Sequence, residues 1–105
     1  MGICVRDLKH VAKTVLGCVL EDDGDHIRYS LIVNERFIAN FKFSHSWKGN
    51  YQIEESILHK QAQSMHCSLQ TWKGLLQGRI SKQQYFQELL QKGLINQAEF
   101  EMLCK

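Results

Sequence analysis

An α+β fold is predicted for this chain: a helix, a three-stranded antiparallel meander, then several C-terminal helices. Three observations carry it. The stretch His26-Ile27-Arg28-Tyr29-Ser30-Leu31-Ile32-Val33 alternates, with Ile27, Tyr29, Leu31 and Val33 apolar and His26, Arg28 and Ser30 polar; that is the period of a strand with one buried face. The sequence on either side also reads as strand, which makes this one central. From Ile53 onward the apolar spacing turns helical and stays so.

Residues 6–17 read as the first helix. Leu8, Val11, Ala12, Val15 and Leu16 fall at i, i+3, i+4, i+7 and i+8, one apolar stripe, and Gly17 is a stop. Arg6, Lys9, His10 and Lys13 lie off the stripe. They could meet phosphate, but charge belongs on the solvated face of any such helix, and that plainer reading is preferred.

Residues 18–21 form a short strand, and Asp22-Asp23-Gly24-Asp25 a turn, since Asp-Gly favours a type I′ hairpin. With Asp23-Gly24 as the loop, Leu20 faces Ile27, Cys18 faces Tyr29, Glu21 faces His26 and Val19 faces Arg28. At Asn34-Glu35-Arg36 a three-residue loop is chosen. It sets Val33 against Phe37, Leu31 against Ala39, Tyr29 against Phe41 and Ile27 against Phe43, with a bulge at Arg36 or nearby. Ile27, Tyr29, Leu31, Phe37, Phe41 and Phe43 should be buried. Glu21, His26, Arg28, Ser30, Asn40, Lys42 and Ser44 should share the polar face.

Residues 44–52 read as a loop carrying His45, Trp47, Lys48 and Tyr51, side chains suited to recognition. Trp47 and Tyr51 could equally cap the core edge. Ile53, Ile57, Leu58, Ala62 and Met65 then mark a helix ending near Cys67, and Leu69, Trp72, Leu75 and Leu76 a shorter one ending by Gly78. Ser81-Lys82-Gln83-Gln84 is a capping box before Tyr85, Phe86, Leu89 and Leu90, with Gly93 as the stop. Asn96-Gln97-Ala98-Glu99 is a second box, opening a last helix with Phe100 and Leu103. The whole is read as one domain, 1–105, made of an α-β-β-β-α unit at 6–67 and a helical extension at 68–105.

Composition narrows the function only a little. Apolar residues make up 44% and charged residues 23%, ordinary for a globular protein. The net charge of +2 does not by itself imply nucleic acid, and the halves match: seven Lys/Arg against six Asp/Glu in 1–50, six against five in 51–105. Proline is absent, so turns rest on Gly, Asn, Asp and Ser. Cys4, Cys18, Cys67 and Cys104 form no C-x-x-C pair and fit no zinc or disulfide framework. With no signal peptide or transmembrane run, reduced thiols in a cytoplasmic protein are expected, with no membrane contact. Met1-Gly2-Ile3-Cys4-Val5-Arg6 begins as a myristoylation site does, but Arg6 stands where Ser or Thr is wanted.

The polar face of the sheet is the first chemical candidate. RNA strand cleavage needs a base for the 2′-OH proton, an acid for the leaving oxygen and cations for the phosphorane. His26 is the candidate catalytic group, with Glu21 beside it to favour the imidazolium. Arg28, Lys42, Asn40, His45, Trp47 and Lys48 are the candidate nucleic-acid-binding residues. The plain alternative is an ordinary solvated β face, which also carries charge. Metal binding is not expected: His59 and His66 are seven apart, ~10.5 Å along a helix, too far for one tetrahedral zinc by those two alone. Cys67 is read as a packed thiol. No G-x-S-x-G and no Gly-rich phosphate loop is present, and no cofactor is implied.

Helix 6–17, the turn Asp22–Asp25, and Gly24-Asp25-His26 opening a strand together resemble the HicA family of small bacterial toxins, over roughly residues 6–67. The resemblance implies a double-stranded-RNA-binding-type fold and mRNA cleavage, with Gly24 and His26 matching the family's Gly-x-His and His26 as its catalytic histidine. Two departures are visible: the helical region after about residue 68, and the lack of the family's marked basic charge. His26-x-x-Tyr29 followed by Ser44-His45 also resembles uncharacterised prokaryotic proteins of the same layout.

Three functions are therefore carried forward. The first is an RNA-binding or RNA-cleaving domain of HicA-like form. The second is a non-catalytic module whose sheet face binds a protein, or whose C-terminal helices bind a protein or a second copy. The third is a small-molecule enzyme with a closed pocket around His45, Trp47 and Tyr51.

Overall fold

The computed structural model describes residues 2–105; Met1, and with it the start of the myristoylation-like stretch, lies outside them. The architecture is α+β as expected: a helix, a three-stranded antiparallel sheet in the order β1-β2-β3, then four helices.

The first helix is wound in two ways. α1 (Val5–His10) is α-helical and continues as a π-wound segment, Val11–Val15. The amide of Leu16 reaches the carbonyl of Val11, five residues back, at 2.8 Å. The wider turn brings Leu16 over Val11 and buries both, leaving Val15 half-buried. The single α-helix expected over 6–17 is corrected in that respect.

β1 (Val19–Asp22), β2 (His26–Val33) and β3 (Arg36–Ser44) form the meander. Both turns differ from the sequence expectation; the first keeps the expected faces, while the second keeps them for the pairs of Leu31, Tyr29 and Ile27 and exchanges them at Phe37 and Ile38. At the first, Gly24-Asp25 is the tip, not Asp23-Gly24. Gly24 takes φ +94°, as the first position of a type II′ turn requires. The Asp23 carboxylate accepts the amides of Asp25 and His26 at 3.1 and 2.7 Å. Pairing thereby slides by two residues: Leu20 meets Tyr29, Val19 meets Ser30, and Glu21 meets Arg28, not His26. A slide of two conserves side-chain parity.

At the second turn Asn34 and Glu35 both take positive φ, 51° and 65°, so the loop has two residues. Val33 pairs with Arg36 and Ile32 with Phe37; the register then shifts, and Leu31 pairs with Ala39. The extra residue is Ile38, which is buried. This bulge lets a tight turn coexist with the Tyr29–Phe41 and Ile27–Phe43 pairs. Phe37, expected in the core, is 60% exposed because it lies before the bulge and beside Ile32 on the outer face. Ser30, expected on the polar face, is buried between Val19 and Asn40 on the flanking strands. Leu20 is half exposed, since the helical layer does not reach the edge strand.

α2 (Glu55–Ser64), α3 (Leu69–Leu76), α4 (Lys82–Gln91) and α5 (Gln97–Leu103) follow. Both predicted capping boxes form, Ser81 with Gln84 and Asn96 with Glu99. Ser68 caps α3 through the Thr71 amide, a signal the sequence reading missed. Trp72 packs edge-on against Phe41, ring centroids 4.9 Å apart. Tyr85 donates from its hydroxyl to the Met65 carbonyl at 2.9 Å. One hydrophobic core thus runs from Val5 and Leu8 through Tyr29, Phe41 and Met65 to Trp72, Phe86, Leu89 and Ile95. α3 and α4 bury Trp72, Leu75, Tyr85, Phe86 and Leu89 within the chain, whereas Phe100 and Leu103 of α5 are half-buried and Met102 is exposed.

Candidate nucleic-acid interface

A groove of about 490 Å³ runs along β3 where α2 closes against it. β2 contributes His26 and Arg28. β3 contributes the run Asn40 to Ser44, which includes Lys42. Trp47 stands in the wall, and α2 supplies Ile57, Lys60, Gln61 and Ser64. Those four lie at i, i+3, i+4 and i+7, one helical face. A search for apolar stripes alone passes over this face, although its spacing was readable.

Gln61 fixes the wall. It is buried, its Nε2 donates to the Lys42 carbonyl at 3.0 Å, and its Oε1 accepts from the Trp72 indole at 3.2 Å. The hydrogen bond to Lys42 satisfies a carbonyl on the edge strand and holds α2 at a set distance from it.

The groove is lined by Arg28, Lys42 and Lys60, with His26 nearby, and by no Asp or Glu. Among the described residues none of these three cations has a carboxylate within ion-pair distance. His26 is exposed. Its backbone N–H is the main influence holding the Asp23 carboxyl below its usual range, helped by the amide of Asp25.

Of the seven residues singled out from sequence, the groove gathers five: His26, Arg28, Asn40, Lys42 and Trp47. His45 and Lys48 are not in its lining. His45 Nε2 lies 3.0 Å from Asp22 Oδ2, and its backbone amide donates to the Asp25 carbonyl, so it pins the first hairpin to the end of β3. Lys48 is exposed on the loop. Trp47 stacks on Tyr51 at 4.5 Å and 9°, while His45 engages Asp22; the three side chains of the expected small-molecule site are occupied separately. The loop is tied to the N-terminal segment by the Val5 amide on the Tyr51 carbonyl and the Arg6 amide on that of Gly49.

Two of the thiols, Cys18 and Cys67, offer little nucleophilic chemistry. Burial pushes Cys18 and Cys67 up to about 12, with the charge of Glu88 adding to the effect at Cys67. No helix of the described residues is long and apolar enough to cross a membrane.

Comparison with protein-family models, with curated proteins and with solved structures finds no match.

Proposed function

We propose that the protein binds RNA in the groove between β3 and α2, with backbone phosphates against Arg28, Lys42 and Lys60. The observation that carries this reading is three cations in one groove, none with a carboxylate within ion-pair distance and only Arg28 with an acidic cross-strand neighbour, Glu21. Unpaired cations in a concave surface focus positive potential and attract polyanions despite a small net charge. Trp47 and Asn40 supply an aromatic surface and an amide in the same place. His26, at the start of β2, is the group suited to proton transfer at the ribose–phosphate backbone, in keeping with the HicA-like Gly24-x-His26. Glu21 stands across from Arg28, so any cleavage rests on His26 without that carboxylate.

The test is labelled RNA titrated with protein over a salt series. Arg28→Ala, Lys42→Ala and Lys60→Ala should each weaken binding and flatten the salt dependence. For a single strand the log–log slope should fall by about 0.7 for each phosphate no longer neutralised. His26→Ala should keep binding and lower cleavage by ~10²–10⁴-fold. Absence of binding by the wild type at low salt would overturn the proposal.

A second reading, a non-catalytic protein-interaction module, is favoured by one observation. Val19, Ile32 and Phe37 are 51%, 41% and 60% exposed, and the strand pairing puts all three on the outer face of the sheet. On that reading RNA affinity is absent, and Phe37→Ser removes partner binding without unfolding the protein.

A further inference from the structure

The cations of the groove are placed unfavourably for one another. Arg28 and Lys42 are direct partners across β2 and β3, and adjacent strands lie ~4.8 Å apart. Like charges set opposite each other destabilise a sheet. Glu21, the neighbour of Arg28 on β1, makes no ion pair with it among the described residues. An anion between Arg28 and Lys42 removes that repulsion, and Lys60 lines the same groove from α2.

The shape of the site selects among polyanions. The groove has a volume of about 490 Å³. Clefts of roughly 300–1,000 Å³ hold one small ligand, which leaves no room for the paired and stacked bases of a duplex. A duplex is also read by its overall shape, whereas a single strand can bend its backbone and splay its bases into a cleft. Two further features point the same way. Trp47 lines the groove while Tyr51 stacks on one of its faces, at 4.5 Å and 9°. The indole is thereby fixed, and being only half-buried it keeps a part open to an occupant. Unpaired bases can pack against such a ring, and paired ones cannot. At the His26 end, the exposed residues Asp23 and Asp25 stand just outside the lining, where their charges repel the phosphates of a second strand.

We infer, resting on the RNA-binding reading above, that the groove takes single-stranded RNA and not a duplex. One phosphate bridges Arg28 and Lys42, a neighbouring one meets Lys60, and an unpaired base packs against Trp47.

The test is fluorescence anisotropy at low salt with a labelled RNA of about 12 nucleotides that cannot fold on itself, against the same strand annealed to its complement, with strand integrity checked on a gel. The single strand should bind at least about tenfold more tightly. Tryptophan emission should change as unlabelled single strand is added. Trp72 is fully buried and bonded to Gln61, so the change reports Trp47. Trp47→Leu should weaken the single strand roughly 5- to 100-fold, and Trp47→Phe should restore most of the loss. Should Trp47→Leu fail to fold, the two wild-type measurements still decide. Duplex bound as tightly as single strand, or single strand bound with no change in emission, would overturn this inference and leave RNA binding in place. No affinity for either form would overturn both.

Discussion

The side chain of Gln61 accepts the indole N–H of Trp72 at 3.2 Å and, through its other end, donates to the carbonyl of Lys42. One amide thus joins α2 to the core beneath α3 and to the edge of the sheet. The bond to the Trp72 indole is buried, where an orphaned partner costs most, and the bond to the Lys42 carbonyl is part-buried beside the groove.

Gln61→Leu keeps much of the volume and leaves the indole N–H and the Lys42 carbonyl unpaired. A loss of about 1–3 kcal/mol in unfolding free energy is expected. Urea denaturation followed by tryptophan fluorescence measures it. An unchanged midpoint would show that the wall of the groove does not depend on this amide.

Glu99 is 3% exposed yet charged, and Arg36 holds it, with Nη2 to Oε1 at 2.6 Å. The Asn96 amide and the Asn34 side chain add hydrogen bonds. Arg36 first, then Asn96, keep the Glu99 carboxyl below its usual value of 4.5. A lowered folded-state value means the stabilisation is fully present above that usual value and is lost as pH falls through the folded one. Wild-type urea midpoints should therefore drop between pH 5 and pH 3 more than those of Glu99→Gln, which starts lower at pH 7. Parallel curves would refute the linkage.

Glu35 takes φ 65° with an exposed side chain, a conformation that L residues resist. Glu35→Gly creates Asn-Gly, the preferred type I′ pair, and should stabilise by about 0.5 kcal/mol after the entropic loss of glycine. Glu35→Val should destabilise. Thermal melts of both decide it, and a destabilising glycine would show that Glu35 makes contacts that offset its strain.

Removing residues 79–105 strips Tyr85, Phe86, Leu89 and Ile95 from the common core. The fragment 1–78 should self-associate or precipitate, because the apolar surface left behind is too large to stay in water. A monomeric, cooperatively unfolding fragment on sedimentation and urea titration would refute this.

What could be read from the sequence was local. The boxes at Ser81 and Asn96 each need only four consecutive residues, and the parity of Tyr29 with Phe41 follows from alternation alone. Turn positions were harder. Asp-Gly and Gly-Asp both sit in Asp22-Asp23-Gly24-Asp25, and the choice between them slides β1 by two residues without changing any face. That slide moved Glu21 from His26 to Arg28. At the second turn the parity argument was sound but excluded a two-residue loop, since a bulge as far on as Ile38 leaves no mark in composition. The candidate site was half legible for the same reason. Its strand side chains follow from alternation, whereas Lys60, Gln61 and Ser64 reach it only through the packing of α2 on β3, and His45 was taken up by Asp22.

The Glu99 clasp also has a bearing on the order of events in time. Its partners Arg36 and Asn34 lie 63 and 65 residues away along the chain, among the longer closures the fold must make. Hairpins form in microseconds from neighbouring residues, while a contact across such a span gains nothing until the intervening helices have settled. α5 is therefore expected to close as a latch after the barrier has been crossed. Losing Glu99 should quicken the escape from the native state and leave the rate of reaching it nearly unchanged. The tight turn between β2 and β3 would then serve early as a nucleus and late as a keyhole.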